Sequence, residues 1–524
     1  MITYRYYIFI FFIQSAFGQN MALEANTINA IKTKIPPNID GIVIDDPAWK
    51  KIDATTGFIQ QSPDEGKPAT EKTEVKIMFS DENLYVAAIC YHNDPEKIII
   101  SDARRDSPLD DMDSFIFILD TFRDYQNGYA FGTNAAGIEY DAQITKGGEG
   151  GSTSRRFSMG TGGSYNINWD AAWNVKSFIG DFGWSAEFEI PLKTLRYNSK
   201  KDQTWGINFQ RVISSNQEKA HWSQITRQFT INRLVSAGQL VGIEIPSSRS
   251  YKIIPYVLGQ ANAISDSSDR NTNDSDLGFD AKINIGSSLT LDMTYNTDFA
   301  QAEADEQQIN LDRFSLFFPE KRAFFLENAG LFSIGEADRG GSELSMFFSR
   351  RIGIGNDGQQ IPITAGGRLT GTFSNMRIGL LSMSTQSEEF SIFRVKKEMP
   401  NRTFFGAMAT NLLNLNSNGY SNQVYALDGQ LGIGQLGQVD GFIATSNTPD
   451  LEKDKAYSYR LRASRNGKQV ETVLSYTEIG ESFNPEMGFL KRTGGYRKWS
   501  GRIFTRLRPD DLFGLLEVRP HTNY

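Results

Sequence analysis

The chain of 524 residues has little of what several protein classes require. Its one cysteine, Cys90, excludes an intramolecular disulfide, and its three histidines lie too far apart in the sequence for a usual zinc site. Basic residues (54) are fewer than acidic ones (62) and form no run, which argues against nucleic acid as a partner. No apolar stretch reaches the roughly 20 residues of a membrane helix. The sequence motifs of serine hydrolases, zinc proteases and phosphate-binding loops are absent as well.

Glycine and aromatic residues are abundant instead. The 47 glycines and 36 phenylalanines favour strands and turns over helices. At the N-terminus, Arg5 is followed by apolar residues 6–13 and by small residues up to Gly18, which predicts a signal peptide over residues 1–18. A membrane anchor is the alternative, but the apolar run is short for one. The sequence therefore predicts an exported protein, which can cross a membrane only as a β-barrel.

The first half of the mature chain, residues 19–245, has short strands with mixed burial. Apolar residues alternate or run together at 75–79, 84–91, 114–119 and 182–190, and turn residues separate these segments. We predict a sandwich of two antiparallel β-sheets. Trp184 alternates with other apolar residues and is expected in the core, and Trp49 is expected to pack at the start of the domain.

The second half, residues 246–524, has strands with one strictly polar face, for example at 277–285, 289–295, 457–464 and 470–476. A soluble sandwich and a transmembrane barrel would both explain this alternation. The lengths of the connections between strands distinguish a soluble sandwich from a transmembrane barrel. Long polar connections at 414–422 and 446–455 alternate with short turns near Gly434 and Gly467, as expected of outer-membrane barrels. We predict an all-β protein, with the sandwich followed by an antiparallel, transmembrane β-barrel.

Two groups of motifs resemble known families. Residues 45–49 (DDPAW), 111–120 (DMDSFIFILD), 137–141 (GIEYD), 169–175 (WDAAWNV) and 187–191 (EFEIP) follow the order of the family 9 carbohydrate-binding module. Residues 298–327 (DFAQAEADEQQINLDRFSLFFPEKRAFFLE) resemble the DUF5916 family, which follows such a module in exported Bacteroidetes proteins. The resemblance implies a glycan-binding sandwich joined to an outer-membrane barrel, and the DUF5916 family has no settled activity.

The resemblance also bears on the C-terminus. Members of this family usually continue well beyond the point where this sequence stops. A membrane barrel must close, because unpaired edge strands would otherwise face lipid. The last residues, 519–524, do not read as a strand. We therefore expect the barrel to be truncated at its C-terminus.

Candidate sugar-binding residues lie around a pair of tryptophans. Trp169 and Trp173 flank Asp170 in a polar, glycine-rich region, where the indole rings could stack on a pyranose ring. Arg105 could bind sugar hydroxyls together with Asp170. The alternatives are that both tryptophans close the end of the sandwich core and that Arg105 belongs to a solvated salt-bridge face.

Asp111, Asp113 and Asp120 form an acidic run of the hard oxygen ligands that calcium prefers. The family 9 resemblance implies a structural Ca²⁺, although it assigns no individual ligand. A solvated acidic loop is the alternative. No other cofactor is predicted.

A second charged cluster lies in the DUF5916-like segment. Carboxylates at 303–306 precede the basic and acidic residues of 313–322 and a run of phenylalanines from Phe314 to Phe325. A catalytic pair or a metal site is one interpretation. We prefer a plug that packs inside or across the barrel, with its charges paired to charges of the lumen. No catalytic residue is assigned.

The sequence thus predicts an outer-membrane protein that binds a polysaccharide or oligosaccharide, contacts membrane lipid and catalyses no reaction. The predicted role is in polysaccharide capture or catabolism at the cell envelope. One alternative is a glycoside hydrolase, and another is an envelope scaffold or transport barrel whose sandwich no longer binds sugar. The first barrel strand, 251–259, follows the sandwich directly, a long connection (262–275) comes next, and a short turn (286–288) comes after it. This order places the N-terminal domain in the periplasm.

Overall fold

The computed structural model of the chain describes residues 26–148, 164–197, 200–245, 251–262, 272–285, 288–297, 320, 322–326, 328–338, 341–354, 361–374, 376–399, 401–417, 419–509, 515 and 517–524. The predicted signal peptide, residues 1–18, lies outside the described residues, as do the acidic residues 303–306. Among the described helices, none is both long and apolar enough to span a membrane.

The first part of the chain forms two facing β-sheets. Its described strands are β1 (Thr27–Asn29), β2 (Ile31–Lys32), β3 (Ile59–Ser62), β4 (Thr73–Phe79), β5 (Asn83–Tyr91), β6 (Ser114–Asp120), β7 (Gly128–Asn134), β8 (Tyr140–Ile144), β9 (Tyr165–Asn166), β10 (Asn174–Gly180), β11 (Gly183–Pro191), β12 (Asp202–Ile213), β13 (Glu218–His221) and β14 (Gly238–Glu244). One sheet has the order β1-β14-β12-β6-β7-β8-β9, with β13 and β3 attached to β12, and the other has the order β10-β11-β5-β4-β2.

Aromatic side chains fill the space between these two sheets. Phe117 of β6 contacts Phe188 of β11 edge-to-face, with ring centroids 5.2 Å apart, and both side chains are fully buried. Trp184 is also fully buried, and the buried Trp49 donates its indole N–H to Glu187 at 2.7 Å. Because the inward residues of both sheets alternate with outward ones, they meet in a single core. The predicted sandwich and the predicted packing of both tryptophans are confirmed.

The second part forms one continuous antiparallel sheet that we call the barrel. Its described strands are β15 (Tyr251–Asn262), β16 (Thr272–Ile285), β17 (Leu289–Tyr295), β20 (Ile363–Phe373), β21 (Met376–Thr385), β22 (Glu388–Met399), β23 (Thr403–Asn414), β24 (Ser421–Ile433), β25 (Gly437–Asn447), β26 (Tyr457–Asn466), β27 (Val470–Ile479), β29 (Tyr496–Thr505) and β30 (His521–Asn523). They pair in chain order. The reading of residues 519–524 as no strand is wrong, because β30 pairs with β29 there. Within the described pairings, none joins β15 to β30.

A segment between β17 and β20 packs against the inward face of the barrel. We call it the plug; its described residues are 320, 322–326, 328–338 and 341–354. It contains α1 (Ala323–Leu326), β18 (Gly335–Asp338) and β19 (Gly341–Ser345), and β19 pairs with the short strand β28 (Phe489–Leu490). Phe325 and Phe332 of the plug share a core with inward residues such as Met408 and Val424. The predicted plug is present in the described residues, whereas residues 303–319, with Phe314, lie outside them. Of the charges predicted to pair with the lumen, Glu320 and Arg322 pair with each other at 2.8 Å.

The two faces of the barrel differ in kind. Outward residues such as Leu427, Ile443 and Leu461 are 55–59% exposed, whereas inward residues such as Met408 and Val424 are buried. The inward face also carries paired charges. Arg394 binds Asp428 through two hydrogen bonds of 2.6 and 2.8 Å, and both side chains are less than 10% exposed. In the described part of the chain, the inward face is thus covered by the plug and carries buried ion pairs.

Barrel arginines hold the plug through its backbone. Arg394 donates to the carbonyl of Leu331 at 3.1 Å, Arg460 donates to that of Gly335 at 3.2 Å, and Arg368 donates to that of Phe324. Each guanidinium also pairs with a barrel carboxylate: Asp428, Asp440 and Asp292, respectively. The space lined by Phe325, Phe332, Phe347 and Arg368 measures about 10 Å³, which is room for roughly one water. The plug therefore fits closely.

Connections at the two ends of the barrel differ in length. At one end, two or three residues join consecutive strands, at 286–288, 374–375, 400–402, 434–436 and 467–469. At the other end the connections are longer, at 263–271, 296–362, 415–420, 448–456 and 480–495, with 386–387 as an exception. The connection between β29 and β30, at 506–520, is also an exception, because it is long and lies at the short-turn end. The predicted alternation is confirmed apart from these two connections.

The sandwich contacts the short-turn end of the barrel. Lys468 pairs with Glu65 of the sandwich at 3.0 Å, and Asn466 donates to the carbonyl of Gln228 at 3.3 Å. Asn127 of the sandwich donates to Glu398, near the turn at 400–402, at 3.1 Å. Contacts at two separate turns therefore hold the sandwich against this end of the barrel.

Candidate functional site

Arg105 forms the centre of a cluster of carboxylates at one end of the sandwich. Its guanidinium lies 2.5 Å from Glu139, 2.7 Å from Asp141, 2.6 Å from Asp170 and 3.7 Å from Asp106. The Arg105 side chain is 39% exposed and that of Asp170 is 78% exposed, whereas Asp141 is buried at 1%. The cluster therefore has a buried base and a solvent-facing rim.

Strand geometry explains how these groups meet. Glu139 directly precedes β8 and Asp141 lies two residues further on, within the strand, so their side chains point to the same face of the sheet. The segment before β6 carries Arg105 across this face, where Asp106 accepts a backbone hydrogen bond from Asp141. The segment after β9 brings Asp170, and Asp141 accepts the backbone N–H of Ala171 at 2.8 Å.

Burial has a strong effect on Asp141. Removal from water raises the pKa of its carboxyl to about 7, although Arg105 and the Ala171 amide oppose the shift. Such a pKa would suit a general acid. However, Asp141 is almost fully buried and both of its oxygens already accept hydrogen bonds, so it has no direct path to a substrate. Its evident role is to hold Arg105 and the Ala171 backbone in place.

The structure places the two predicted stacking tryptophans in the core. Trp169 and Trp173 are 7% and 8% exposed. Trp169 packs 5.0 Å from Tyr129, and Trp173 lies parallel to Phe188 at 5.9 Å. Both ring systems are occupied by protein contacts, as in the packing alternative, and they offer no open face for a sugar. The predicted Arg105 and Asp170, by contrast, come together at the rim.

Sequence reasoning missed Glu139 and Asp141 as partners of Arg105. A signal was present: in Glu139-Tyr140-Asp141, two carboxylates alternate with an apolar residue, which places both on one face of a strand. What the sequence could not show is that this face lies opposite Arg105, 34 and 36 positions earlier.

The three calcium candidates do not come together. Asp113 and Asp120 lie at opposite ends of β6, about 20 Å apart by strand geometry, and Asp111 is exposed. The oxygens of Asp120 accept the backbone N–H groups of Asp124 and Tyr125 instead. In the part of the chain that the structure describes, no group of three or more His, Cys, Asp or Glu side chains could hold a metal ion. These three residues cannot share one ion, because the strand separates them.

The Arg105 cluster lies close to the plug. Gln143 of β8, two residues beyond Asp141 on the same face, exchanges hydrogen bonds of 3.2 and 3.3 Å with Asn328 of the plug. Asn328 in turn donates to Thr370 of the barrel at 3.1 Å. Asn166, just before the Asp170 segment, donates to the plug carbonyl of Leu326. One strand thus connects the cluster to the plug.

Comparisons with known proteins give one family match and several similar solved structures. Residues 249–366 match the family described as "Domain of unknown function (DUF5916)". This stretch includes residues 298–327, from which the DUF5916 resemblance was drawn. No curated protein matches the chain.

Three similar solved structures are described next. A family 9 carbohydrate-binding module from Caldicellulosiruptor kristjanssonii, in complex with glucose, shares 17% identity over 42% of this chain and 95% of its own, with a TM-score of 0.29. A putative carbohydrate-binding protein from Bacteroides uniformis shares 11% identity over 42% of this chain and 99% of its own, with a TM-score of 0.31. Acinetobacter baumannii OccAB1 shares 8% identity over 90% of this chain and 88% of its own, with a TM-score of 0.25.

Proposed function

We propose that this chain, which carries a DUF5916 segment, is an exported outer-membrane protein whose periplasmic sandwich binds a neutral saccharide at the Arg105 cluster. The observation that carries the binding role is the cluster itself, in which one half-exposed guanidinium faces four carboxylates. The membrane location and the ligand have separate support.

The outward face of the barrel supports the membrane location. Leu427, Ile443, Leu461 and Leu474 are large apolar side chains that are 48–59% exposed on four adjacent strands. A contiguous apolar face of this kind is costly in water and is matched by the hydrocarbon of a bilayer. Charged groups on the opposite face, such as Arg394 and Asp428, are buried and paired.

The connection lengths support the orientation. Short turns face the periplasm in outer-membrane barrels, and the sandwich contacts the turns at 400–402 and 467–469. A saccharide that reaches Arg105 from the medium would already have crossed the membrane, so it would be an oligosaccharide rather than a polymer.

Charge supports the choice of a neutral ligand. The rim carboxylates of Asp170 and Glu139, with Asp106, outnumber the single positive charge of Arg105. A phosphorylated or uronic-acid sugar would be repelled. The hydroxyl groups of a neutral sugar can instead donate to Asp170 and Glu139 and accept from Arg105.

The test is a glycan array with the full-length protein in detergent. We expect neutral oligosaccharides to bind, and Arg105→Ala to weaken binding by at least about tenfold, since charge-assisted hydrogen bonds contribute about 1.5–3 kcal/mol each. Arg104→Ala is the matched control, because Arg104 is 84% exposed and pairs with Asp102 outside the cluster. Silence of the wild-type protein on the array would favour a scaffold or transport role. Release of reducing sugar from xylan would favour the hydrolase.

A further inference from the structure

Four arginines lie close together on the inward face of the barrel, between the plug and the short-turn end. Arg460 and Arg462 belong to β26, Arg502 belongs to β29, and Arg506 directly follows β29. Arg460 and Arg462 flank the outward Leu461, which places both of them on the inward face. The four side chains are 12–32% exposed, so they remain in contact with solvent.

Positive charge is in excess in this group. Among the described residues, two carboxylates form ion pairs with the four arginines, and each carboxylate is shared by two guanidiniums. Asp440 lies 3.4 Å from Arg462 and 3.9 Å from Arg460, and Glu471 lies 3.2 Å from Arg506 and 3.4 Å from Arg502. Both carboxylates are 19% exposed. Like charges held this close together in a partly buried place favour the binding of an anion.

These ion pairs are also looser than others on the inward face. Arg394, Arg368 and Lys396 each lie 2.6–2.8 Å from a carboxylate oxygen, whereas the shortest distance in the group of four is 3.2 Å. Nε of Arg502 and Nη1 of Arg506 are buried and have no hydrogen-bond partner among the described residues. Buried donors are normally satisfied in proteins, so these two atoms indicate that a further acceptor binds here.

Strand β27 separates the two pairs of arginines and carries small inward side chains at their level. Ser475 is the register partner of Arg462, and Val473 is the register partner of Arg502. Neighbouring strands are about 5 Å apart, so guanidiniums from both sides can reach an anion that lies over β27.

An aromatic ring holds one of the two pairs. Phe504 lies between Arg502 and Arg506 along the chain, and the two guanidinium carbons are 5.0 and 4.9 Å from its centroid. Such cation–π contacts restrict the two side chains without using their N–H donors.

The row of positive charge continues to the sandwich. Arg508 lies two residues beyond Arg506, close to Arg227 of the sandwich. Burial lowers the pKa of the Arg227 guanidinium, and the charge of Arg508 lowers it further, which shows that these two cations are near each other. The carboxylates at this junction, Glu65 and Glu517, are again each shared by two cations. An anion that arrives at the short-turn end therefore meets cations from the junction to the plug.

We propose that the inward face of β26, β27 and β29 binds the oxyanion group of a small solute, between Arg462 on one side and Arg502 and Arg506 on the other. Guanidiniums bind carboxylate, sulfate and phosphate oxygens through paired N–H groups. An acidic sugar and a free inorganic anion share this chemistry. The preference for an anion is the opposite of that at the Arg105 cluster, where carboxylates outnumber the guanidinium, and the inference does not depend on saccharide binding there.

The test is isothermal titration calorimetry of the full-length protein in an uncharged detergent at pH 7 and low salt. The probes are digalacturonate, the neutral disaccharide cellobiose and sodium sulfate. We expect digalacturonate to bind, and the double variant Arg502→Gln, Arg506→Gln to weaken its binding by at least about tenfold, because charge-assisted hydrogen bonds are lost. Cellobiose binding should not change in this variant. The double variant Arg104→Gln, Arg492→Gln is the matched control, because it removes the same charge from two exposed arginines in connections outside the group.

Glu471→Gln gives a second test if the arginine variant fails to fold. It removes a competing carboxylate and leaves all four arginines, so digalacturonate should bind several-fold more tightly. Arginines that only hold the barrel together would show no such gain.

Sulfate distinguishes the two sources of the anion. Binding of sulfate that displaces digalacturonate would support the site and assign it to a free inorganic oxyanion, whereas digalacturonate that stays bound in sulfate would assign it to an acidic sugar. No binding of either anion, equal affinity in the arginine variant and the control, or no gain in Glu471→Gln would overturn the inference. The proposed saccharide site fails separately, if cellobiose and other neutral oligosaccharides do not bind or if Arg105→Ala leaves their binding unchanged.

Discussion

The strands of the sandwich and of the barrel both alternate two kinds of side chain, but the apolar face points inward in the sandwich and outward in the barrel. In the sandwich, alternate residues such as Phe117 and Phe188 meet in a dry aromatic core. In the barrel, apolar residues such as Leu427 point outward, and the inward face holds buried pairs such as Arg394 and Asp428. Alternation alone therefore shows that a strand has two different faces. It does not show which face is the inside.

Substitutions should therefore destabilise the sandwich core and the inward face of the barrel in different ways. A truncated core ring leaves a cavity that nothing refills. A broken ion pair leaves a buried charge, and the damage can be relieved by removing the second charge as well. The tryptophans allow the two parts to be observed separately, because six of the seven precede residue 250.

The largest expected effect is in the sandwich core. Phe117→Ala should destabilise the sandwich by about 3–5 kcal/mol, because the fully buried ring contacts several other aromatic rings. Tryptophan fluorescence during urea unfolding of the full-length protein would measure the change. Phe178→Ala is the control, because Phe178 is 39% exposed at the sheet surface and should cost well under that amount. An equal loss in both variants would contradict the assignment of the core.

In the barrel, Arg394→Met should cost a similar amount, about 3–5 kcal/mol, because Asp428 is left buried without its partner. The double variant Arg394→Met, Asp428→Leu should recover most of that loss, although the contact with the Leu331 carbonyl stays lost. Folding into lipid vesicles, followed by heat-modifiable gel mobility, would give the stabilities. A double variant no more stable than the single one would show that the pair is not the reason for the loss.

The outward face gives the next prediction. Leu427→Arg should destabilise the protein by about 2–4 kcal/mol in a bilayer, since Leu427 lies mid-strand on the apolar face. The matched control is Thr445→Arg, one strand away and near the long-loop end, where the cost should be about 0–1 kcal/mol. If Leu427→Arg folded into vesicles as well as the control, the outward face would not be in lipid.

The smallest effect concerns pH. Burial raises the pKa of Asp141 to about 7, so the folded protein keeps a proton that the unfolded chain releases near pH 4. Its contribution to stability is complete below about pH 4 and is lost as the pH rises through about 7. Asp141→Asn cannot titrate and should reduce the loss of unfolding free energy between pH 5 and pH 8 by about 1–2 kcal/mol. Thermal unfolding at the two pH values would test this, and an unchanged pH profile would contradict it.

Much of the fold follows from the sequence, because local periodicity and turn chemistry act over a few residues. The strands at 75–79, 84–91 and 114–119, the burial of Trp184 and the alternation of connection lengths all have such local causes. The candidate site does not follow from the sequence in this way. Trp169 and Trp173 lie in a polar stretch, yet they are buried because Tyr129 and Phe188, distant in sequence, pack against them.

Long-range strand pairing also explains why the sequence grouped the charged residues incorrectly. The acidic run from Asp111 to Asp120 reads as one site, but an intervening strand separates its members. Conversely, Arg105 and Asp141 read as unrelated residues, but the sheet brings them to 2.7 Å. The plug shows the same limit: its phenylalanines predict burial, but only the structure shows that arginines from β20, β22 and β26 hold its backbone.

Trp499 offers the most direct test of the claim that the outward face of the barrel contacts lipid. It is 60% exposed on that face, whereas the other six tryptophans are at most 8% exposed within the sandwich. The protein should be folded into vesicles containing brominated acyl chains, and its fluorescence compared with that of Trp499→Phe. We predict that bromine quenches one component of the emission and that this component is missing from Trp499→Phe. Emission insensitive to brominated lipid, or equal quenching in both proteins, would contradict the claim.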